Sequence, residues 1–192
     1  MFPIHHARIF AAAFVVLLAS GCAIQAPRYQ ASIENVELLK QAPNSVSLGG
    51  FSVQTGSLAA AKGGTSLSVR GSPMNSPVGT DYAAYMVDAL SQELIVAKKL
   101  DPKSKIEISG KLLKNDISAG GFSTNSGEIE AQFVVKKDGV VRFEKSKNAS
   151  LTWDSSFLGA VAIPKAQQQY PLIIQKLLSL LWGDADFQAA LK

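Results

Sequence analysis

The sequence predicts an α+β fold, a two-layer sandwich whose mainly antiparallel sheet carries helices on one face. Three observations predict it. Ile106, Ile108, Gly110 and Leu112 alternate with Lys105, Glu107, Ser109 and Lys111, the period of two of a strand with one buried face. Two further strand-like runs follow, one carrying Ile129, Ala131, Phe133 and Val135, the other running from Val140 towards Trp153. Apolar residues at helical spacing flank this block, at Tyr82, Met86, Ala89, Leu90 and Leu94, and again at Tyr170, Ile173, Ile174, Leu177, Leu178 and Leu181. Strands and helices segregated in this way form two layers around one core.

In chain order, residues 1–21 read as a signal peptide. Met1 to Arg8 make a short basic region, and Ile9 to Ser20 an apolar stretch of about a dozen residues, short of the roughly 20 a membrane-spanning helix needs. The run Leu18-Ala19-Ser20-Gly21-Cys22 resembles the lipobox of bacterial lipoproteins. That resemblance implies a diacylglyceryl group on the Cys22 sulfur and cleavage before it. Ala23 rather than Asp after the cysteine implies the outer membrane, with the body in the periplasm. Residues 22–31 are expected to form a lipidated tether, and residues 32–192 a single periplasmic domain.

Ser32 can cap a short helix to Lys40 with Ile33, Val36 and Leu39 on one side, and Pro43-Asn44 ends it. Val46, Leu48, Phe51 and Val53 suggest a strand, which Gly49-Gly50 interrupts with a bulge. Residues 54–79 are rich in Gly, Ser, Thr and Ala, contain at most one strand at Ser66 to Arg70, and otherwise read as an exposed loop. Thr80 is expected to cap the next helix, with Asp81 against its dipole and Asp101-Pro102 closing the segment. Pro164 suits the first turn of a last long helix running to Trp182. Pro171 should kink that helix or mark its start, Gly183 ends it, and Asp184 caps a final turn.

Parity constrains the turn between the second and third strands. A two-residue turn at Asp138-Gly139 would set Val135 opposite Arg142, whereas a three-residue loop sets it opposite Val141 and Phe133 opposite Phe143. Only the second puts apolar side chains on one shared face, so the expectation is a three-residue loop, Lys137 to Gly139, with Gly139 left-handed in a bulge.

The residue inventory excludes whole classes of chemistry. The only histidines, His5 and His6, lie in the signal segment, and Cys22 is the sole cysteine. The mature chain therefore lacks Ser-His and Cys-His nucleophiles, and it lacks zinc or copper sites built on those ligands. No metal and no cofactor are expected. The chain carries 19 Lys+Arg against 15 Asp+Glu, and removing Arg8 leaves 18 against 15, or +3. This excess is scattered and makes no nucleic-acid footprint.

Residues 157–163 are uncharged and apolar throughout, which is unusual for a connection. Packing beneath the sheet is the favoured expectation, and an exposed surface entering a partner or lipid is the alternative. Trp153, Phe157, Leu158 and Val161 are accordingly the candidate partner surface, together with the loop from Gly56 to Gly79.

The element order and the run from Trp153 to Pro164 resemble a group of small, mostly uncharacterised bacterial lipoproteins. The topology is also similar to the TolB amino-terminal domain and to lipoprotein activators of penicillin-binding proteins. These resemblances imply an adaptor or assembly factor, held to the membrane through Cys22 and binding an envelope protein. Two alternatives remain open. Glu128 and Glu130 point to the same face of a strand, as the carboxylates of a cell-wall glycosidase would. A pocket between sheet and helices would instead suit a carrier of a lipid or envelope polymer.

Overall fold

The computed structural model describes residues 23–54 and 64–192. Residues 1–22, which include the expected signal peptide and Cys22, and residues 55–63 lie outside the described residues. The fold is α+β, built on a four-stranded sheet of β2 (Ser47–Val53), β5 (Ile106–Ser118), β6 (Thr124–Lys137) and β7 (Val140–Asp154), in that order. The last three form the expected antiparallel meander, while β2 joins its edge parallel to β5. A second sheet, unexpected from sequence, has the order β1-β4-β3, from β1 (Ile24–Gln25), β3 (Ser66–Val69) and β4 (Ser72–Asn75). The helices are α1 (Ile33–Lys40), α2 (Tyr82–Val96), α3 (Gly159–Trp182) and α4 (Ala185–Ala190).

One face of the large sheet buries Ile106, Ile108, Leu112, Ile129, Ala131, Phe133, Val135 and Phe143. Against it lie Tyr82, Tyr85, Met86 and Leu90 of α2 and Tyr170, Ile174, Leu177, Leu178 and Leu181 of α3. The tyrosines form one cluster, with the Tyr82 and Tyr170 rings 5.0 Å apart and Tyr85 and Tyr170 5.3 Å apart. The Gly49-Gly50 bulge is present as a register shift between Leu48 and Phe51. A side chain at Gly49 would meet the Glu107 carboxyl group, which would have to swing aside to admit it.

Several local expectations are corrected. On α1, Ser32 is the cap as expected, yet Asn35 is buried beside Val36 and Leu39 while Ile33 faces solvent. Asp81, not Thr80, caps α2, accepting from the Ala84 N–H at 2.8 Å. That helix ends at Val96 through two closing bonds, Lys98 N–H to Ile95 O at 3.0 Å and Lys99 N–H to Leu94 O at 2.8 Å. They form a Schellman motif with Lys98 left-handed at φ 59°. Helix α3 starts at Gly159, five residues before Pro164, and runs through Pro171 without a break.

Residues 23–31 are folded rather than a free tether. Strand β1 pairs with β4, and Ala26 and Tyr29 are buried. The segment continues along α3, where Gln167 and Gln175 donate to the carbonyls of Gln25 and Gln30 at 2.8 and 2.9 Å.

The β6–β7 connection is a two-residue turn, with Asp138 at φ 51° and Gly139 at φ 80° and Lys137 opposite Val140. This corrects the three-residue expectation. Asp-Gly is the preferred pair for a tight hairpin turn, because both central residues need positive φ. The parity conflict is resolved one step later by a bulge at Arg142, after which Val135 faces Phe143. Val140 and Val141, before the bulge, stay exposed.

Further along, Lys145 and Lys147 share the helix-side face of β7 with Phe143 and Ala149, an unusual place for charge. Both reach Asp184, the cap of α4, at 3.4 and 2.5 Å. Burial raises the Asp184 carboxyl, but Lys147 and the N–H groups of Phe187 and Asp186 outweigh it and hold the group well below the usual carboxylate range.

Candidate functional site

At one end of the molecule four apolar side chains stand in solvent. Phe157 is 73% exposed, Leu158 62% and Val161 52%, and Phe122, from the β5–β6 loop, is 72% exposed. The Phe122 and Phe157 rings lie 5.7 Å apart, so two distant loops meet in one cap. The expectation that residues 157–163 pack under the sheet is therefore wrong for these side chains. Only Ala162 is fully buried, with Ile163 partly covered against the core. The helical turn that begins at Gly159 divides the run by its 3.6-residue period: one side packs and the other stays bare.

Trp153 leaves the candidate surface. It is buried, opposite Asn125 on β6. Asn125 Oδ1 accepts from the Gly121 N–H at 3.0 Å and so holds the loop below Phe122. Its Nδ2 and the Trp153 indole N–H are buried with no hydrogen-bond partner among the described residues.

The cap is organised by Arg70, a residue the sequence reading did not single out. Arg70 and Gly71 form the β3–β4 turn, both with positive φ, at 52° and 84°. From there the guanidinium donates to the carbonyls of Ala119 (2.9 Å), Gly121 (3.0 Å), Ser156 (2.7 Å) and Phe157 (2.9 Å). A planar fork with five donors is the side chain able to hold two loops at once. The turn dipeptide between Val69 and Ser72 was a legible signal; the reach of Arg70 to residues far along the chain was not.

The carboxylate pair lies elsewhere, on the outward face of the large sheet. Glu128 accepts from Lys114 at 2.6 Å and from Asn148 at 2.7 Å. These contacts, Lys114 first, hold its carboxyl below the ordinary value, opposite to the shift a general acid needs. Of the loop from Gly56 to Gly79, residues 56–63 lie outside the described residues, and Ser66–Asn75 form the β3–β4 hairpin.

The most enclosed polar constellation is structural in kind. Glu93 on α2 is fully buried and accepts from the Tyr29 hydroxyl, Asn35 Nδ2 at 2.9 Å and the Trp182 indole at 2.5 Å. Asn35 also donates to the Gln175 carbonyl at 2.9 Å. One carboxylate thus ties the N-terminal segment, α1, α2 and α3 together, with its oxygens already satisfied. Burial first, and then the Glu93 charge, push the Tyr29 hydroxyl far above its ordinary pKa.

Among the described residues no helix is long and apolar enough to cross a membrane. No protein-family model and no curated protein matches the chain. Solved structures similar to it include protein XCC0632 from Xanthomonas campestris, of family DUF330, with 12% identity over 84% of this chain and 95% of that one, at a TM-score of 0.51. A "putative lipoprotein" from Caulobacter crescentus is 12% identical over 81% and 97% of the two chains, with a TM-score of 0.45. A hypothetical protein, CT253, from Chlamydia trachomatis is 9% identical over 73% and 96%, with a TM-score of 0.43. The first likeness is one of fold.

Proposed function

We propose that this chain is a lipid-anchored accessory protein of the bacterial cell envelope, acting by binding another envelope protein. Lipid on Cys22 holds it at the outer membrane, and the folded body stands in the periplasm. The observation that carries the placement at an envelope surface is the exposed apolar cap of Phe122, Phe157, Leu158 and Val161. Exposed apolar side chains braced by a dedicated guanidinium suit a surface made for contact. The binding role, as against a catalytic one, rests on the residue inventory, since the mature chain has neither histidine nor, once lipidated, a thiol.

The two alternatives have less support. A glycosidase acid needs a raised carboxyl pKa, and Glu128 is lowered by Lys114. A carrier needs open space between sheet and helices, where Tyr82, Tyr85, Tyr170, Phe133 and Leu177 are packed.

The test is crosslinking in intact cells, comparing wild type with Cys22→Ser, alongside labelling with a palmitate analogue. The wild-type protein is expected to take up label and to capture one envelope protein reproducibly; the variant should lose both. A labelled wild-type protein that captures no envelope protein would remove the adaptor reading and leave the anchor.

A further inference from the structure

We propose that the apolar cap is a membrane foot: Phe122, Phe157, Leu158 and Val161 enter the interfacial layer of the bilayer to which Cys22 is anchored. This rests on the anchoring reading above and assigns the cap an occupant, phospholipid, so that any protein partner is met on another face.

The direction of the chain carries the argument. Strand β1 runs parallel to β4, with Ile24 level with Met74 and Gln25 level with Asn75. In a parallel pair the chain must therefore enter β1 from the side where β4 begins, at Ser72, next to the Arg70-Gly71 turn. Arg70 is the residue that grips the carbonyls of Gly121, Ser156 and Phe157. The path along α3 agrees. Residues 25–30 ascend beside Gln167 to Gln175, so the chain enters from the N-terminal end of α3, where Leu158 and Val161 lie. Cys22 precedes Ile24 by two residues, a span of at most about 7 Å. An anchor on so short a connection leaves the body no freedom to stand away from the lipid surface.

The chemistry of the cap fits that surface. Residues 117–127 and 155–164, the two segments that build it, contain no Asp, Glu, Lys or Arg, so the one ionised group at the cap is the Arg70 guanidinium, whose donors are taken up by backbone carbonyls. Backbone carbonyls at the tip would resist entry into an apolar layer, but those of Ala119, Gly121, Ser156 and Phe157 already accept from Arg70. Aromatic and aliphatic side chains on a satisfied backbone are the composition that interfacial segments use.

The lone cysteine makes the test direct. Lipidation blocks the Cys22 sulfur, so Phe157→Cys, Phe122→Cys and the control Ile95→Cys each present one free thiol for an environment-sensitive fluorophore. Ile95 is exposed near the far end of α2, away from the cap. Each full-length protein is reconstituted in vesicles of phosphatidylethanolamine and phosphatidylglycerol, with the lipid on Cys22 verified by mass. Probes at 157 and 122 are expected to be quenched by lipid-borne nitroxide and to be about five-fold less accessible to aqueous iodide than the probe at 95. Iodide accessibility at 157 equal to that at 95, on a protein of lipidated mass, overturns the foot and leaves the anchor standing. Shielding from iodide without nitroxide quenching also overturns it, in favour of contact between protein copies. A Cys22 that carries no lipid removes the anchor and the foot together.

Discussion

The Arg70 guanidinium donates to the carbonyl oxygen of Phe157 at 2.9 Å, joining a hairpin turn to the tip of a loop 87 residues later. Its other donors take Ala119, Gly121 and Ser156, so one side chain sets the relative position of both cap loops. Arg70→Asn keeps a residue that tolerates positive φ but removes the fork. Stability is expected to fall by about 1–3 kcal/mol in urea unfolding. Amide exchange should accelerate in residues 119–122 and 155–158 and stay unchanged in β5 and β6. Unchanged exchange in both loops would mean that they hold their places without the guanidinium.

The two tryptophans should respond unequally to the same substitution. Trp182 donates to Glu93, so Trp182→Phe leaves a buried carboxylate oxygen short of a donor and is expected to cost about 2–4 kcal/mol. The Trp153 indole N–H has no partner among the described residues, so Trp153→Phe gives up ring volume but no hydrogen bond. Its cost should stay near 1 kcal/mol. Equal losses in urea titrations of the two variants would contradict this account of the Glu93 junction.

All four tyrosines of the sequence, Tyr29, Tyr82, Tyr85 and Tyr170, are buried. Burial is the main cause that raises each hydroxyl pKa, with the Glu93 charge adding to it at Tyr29 and the Asp88 charge at Tyr85. A group whose folded pKa is raised contributes stability that is fully present below its unfolded value of about 10 and is lost as pH rises through the folded value. Tyrosinate absorbance should therefore stay flat past pH 10 and then rise in one step that coincides with loss of the circular dichroism signal. Gradual ionisation of even one tyrosine near pH 10 in the folded protein would refute that packing.

Lys98 occupies the left-handed position that closes α2, where glycine carries no steric penalty. Its side chain is exposed, so Lys98→Gly relieves the backbone without opening the core. The gain in freedom of the unfolded chain offsets part of the benefit, leaving an expected stabilisation of about 0.5–1 kcal/mol. Thermal unfolding checks this, and a lower midpoint would show that the lysine contributes contacts of its own.

What was legible in the sequence is local and periodic. The alternation in Ile106 to Leu112 and in Ile129 to Val135 marked a half-buried sheet face, and the spacing of Tyr82 to Leu94 and Tyr170 to Leu181 marked the helices above it. The Asp138-Gly139 turn shows where such reasoning stops. Local turn chemistry favoured two residues and face parity favoured three. The chain satisfied both with a bulge at Arg142, a compromise visible only when the partner strand is in place.

By itself the sequence determined the α+β class and confined histidine to positions 5 and 6 and cysteine to position 22, because each follows from residue type, order and short-range period. The tertiary structure decided which apolar residues are covered. Trp153 and Phe157 look equivalent along the chain, yet one ends beneath Asn125 and the other in solvent beside Phe122. It likewise folded residues 24–31 against β4 and α3 where sequence suggested a tether, and it surrounded Glu93 with Tyr29, Asn35 and Trp182. Burial and hydrogen-bond satisfaction are relations between segments distant in sequence, so no local pattern encodes them. The cap and its Arg70 brace exist only once those segments meet.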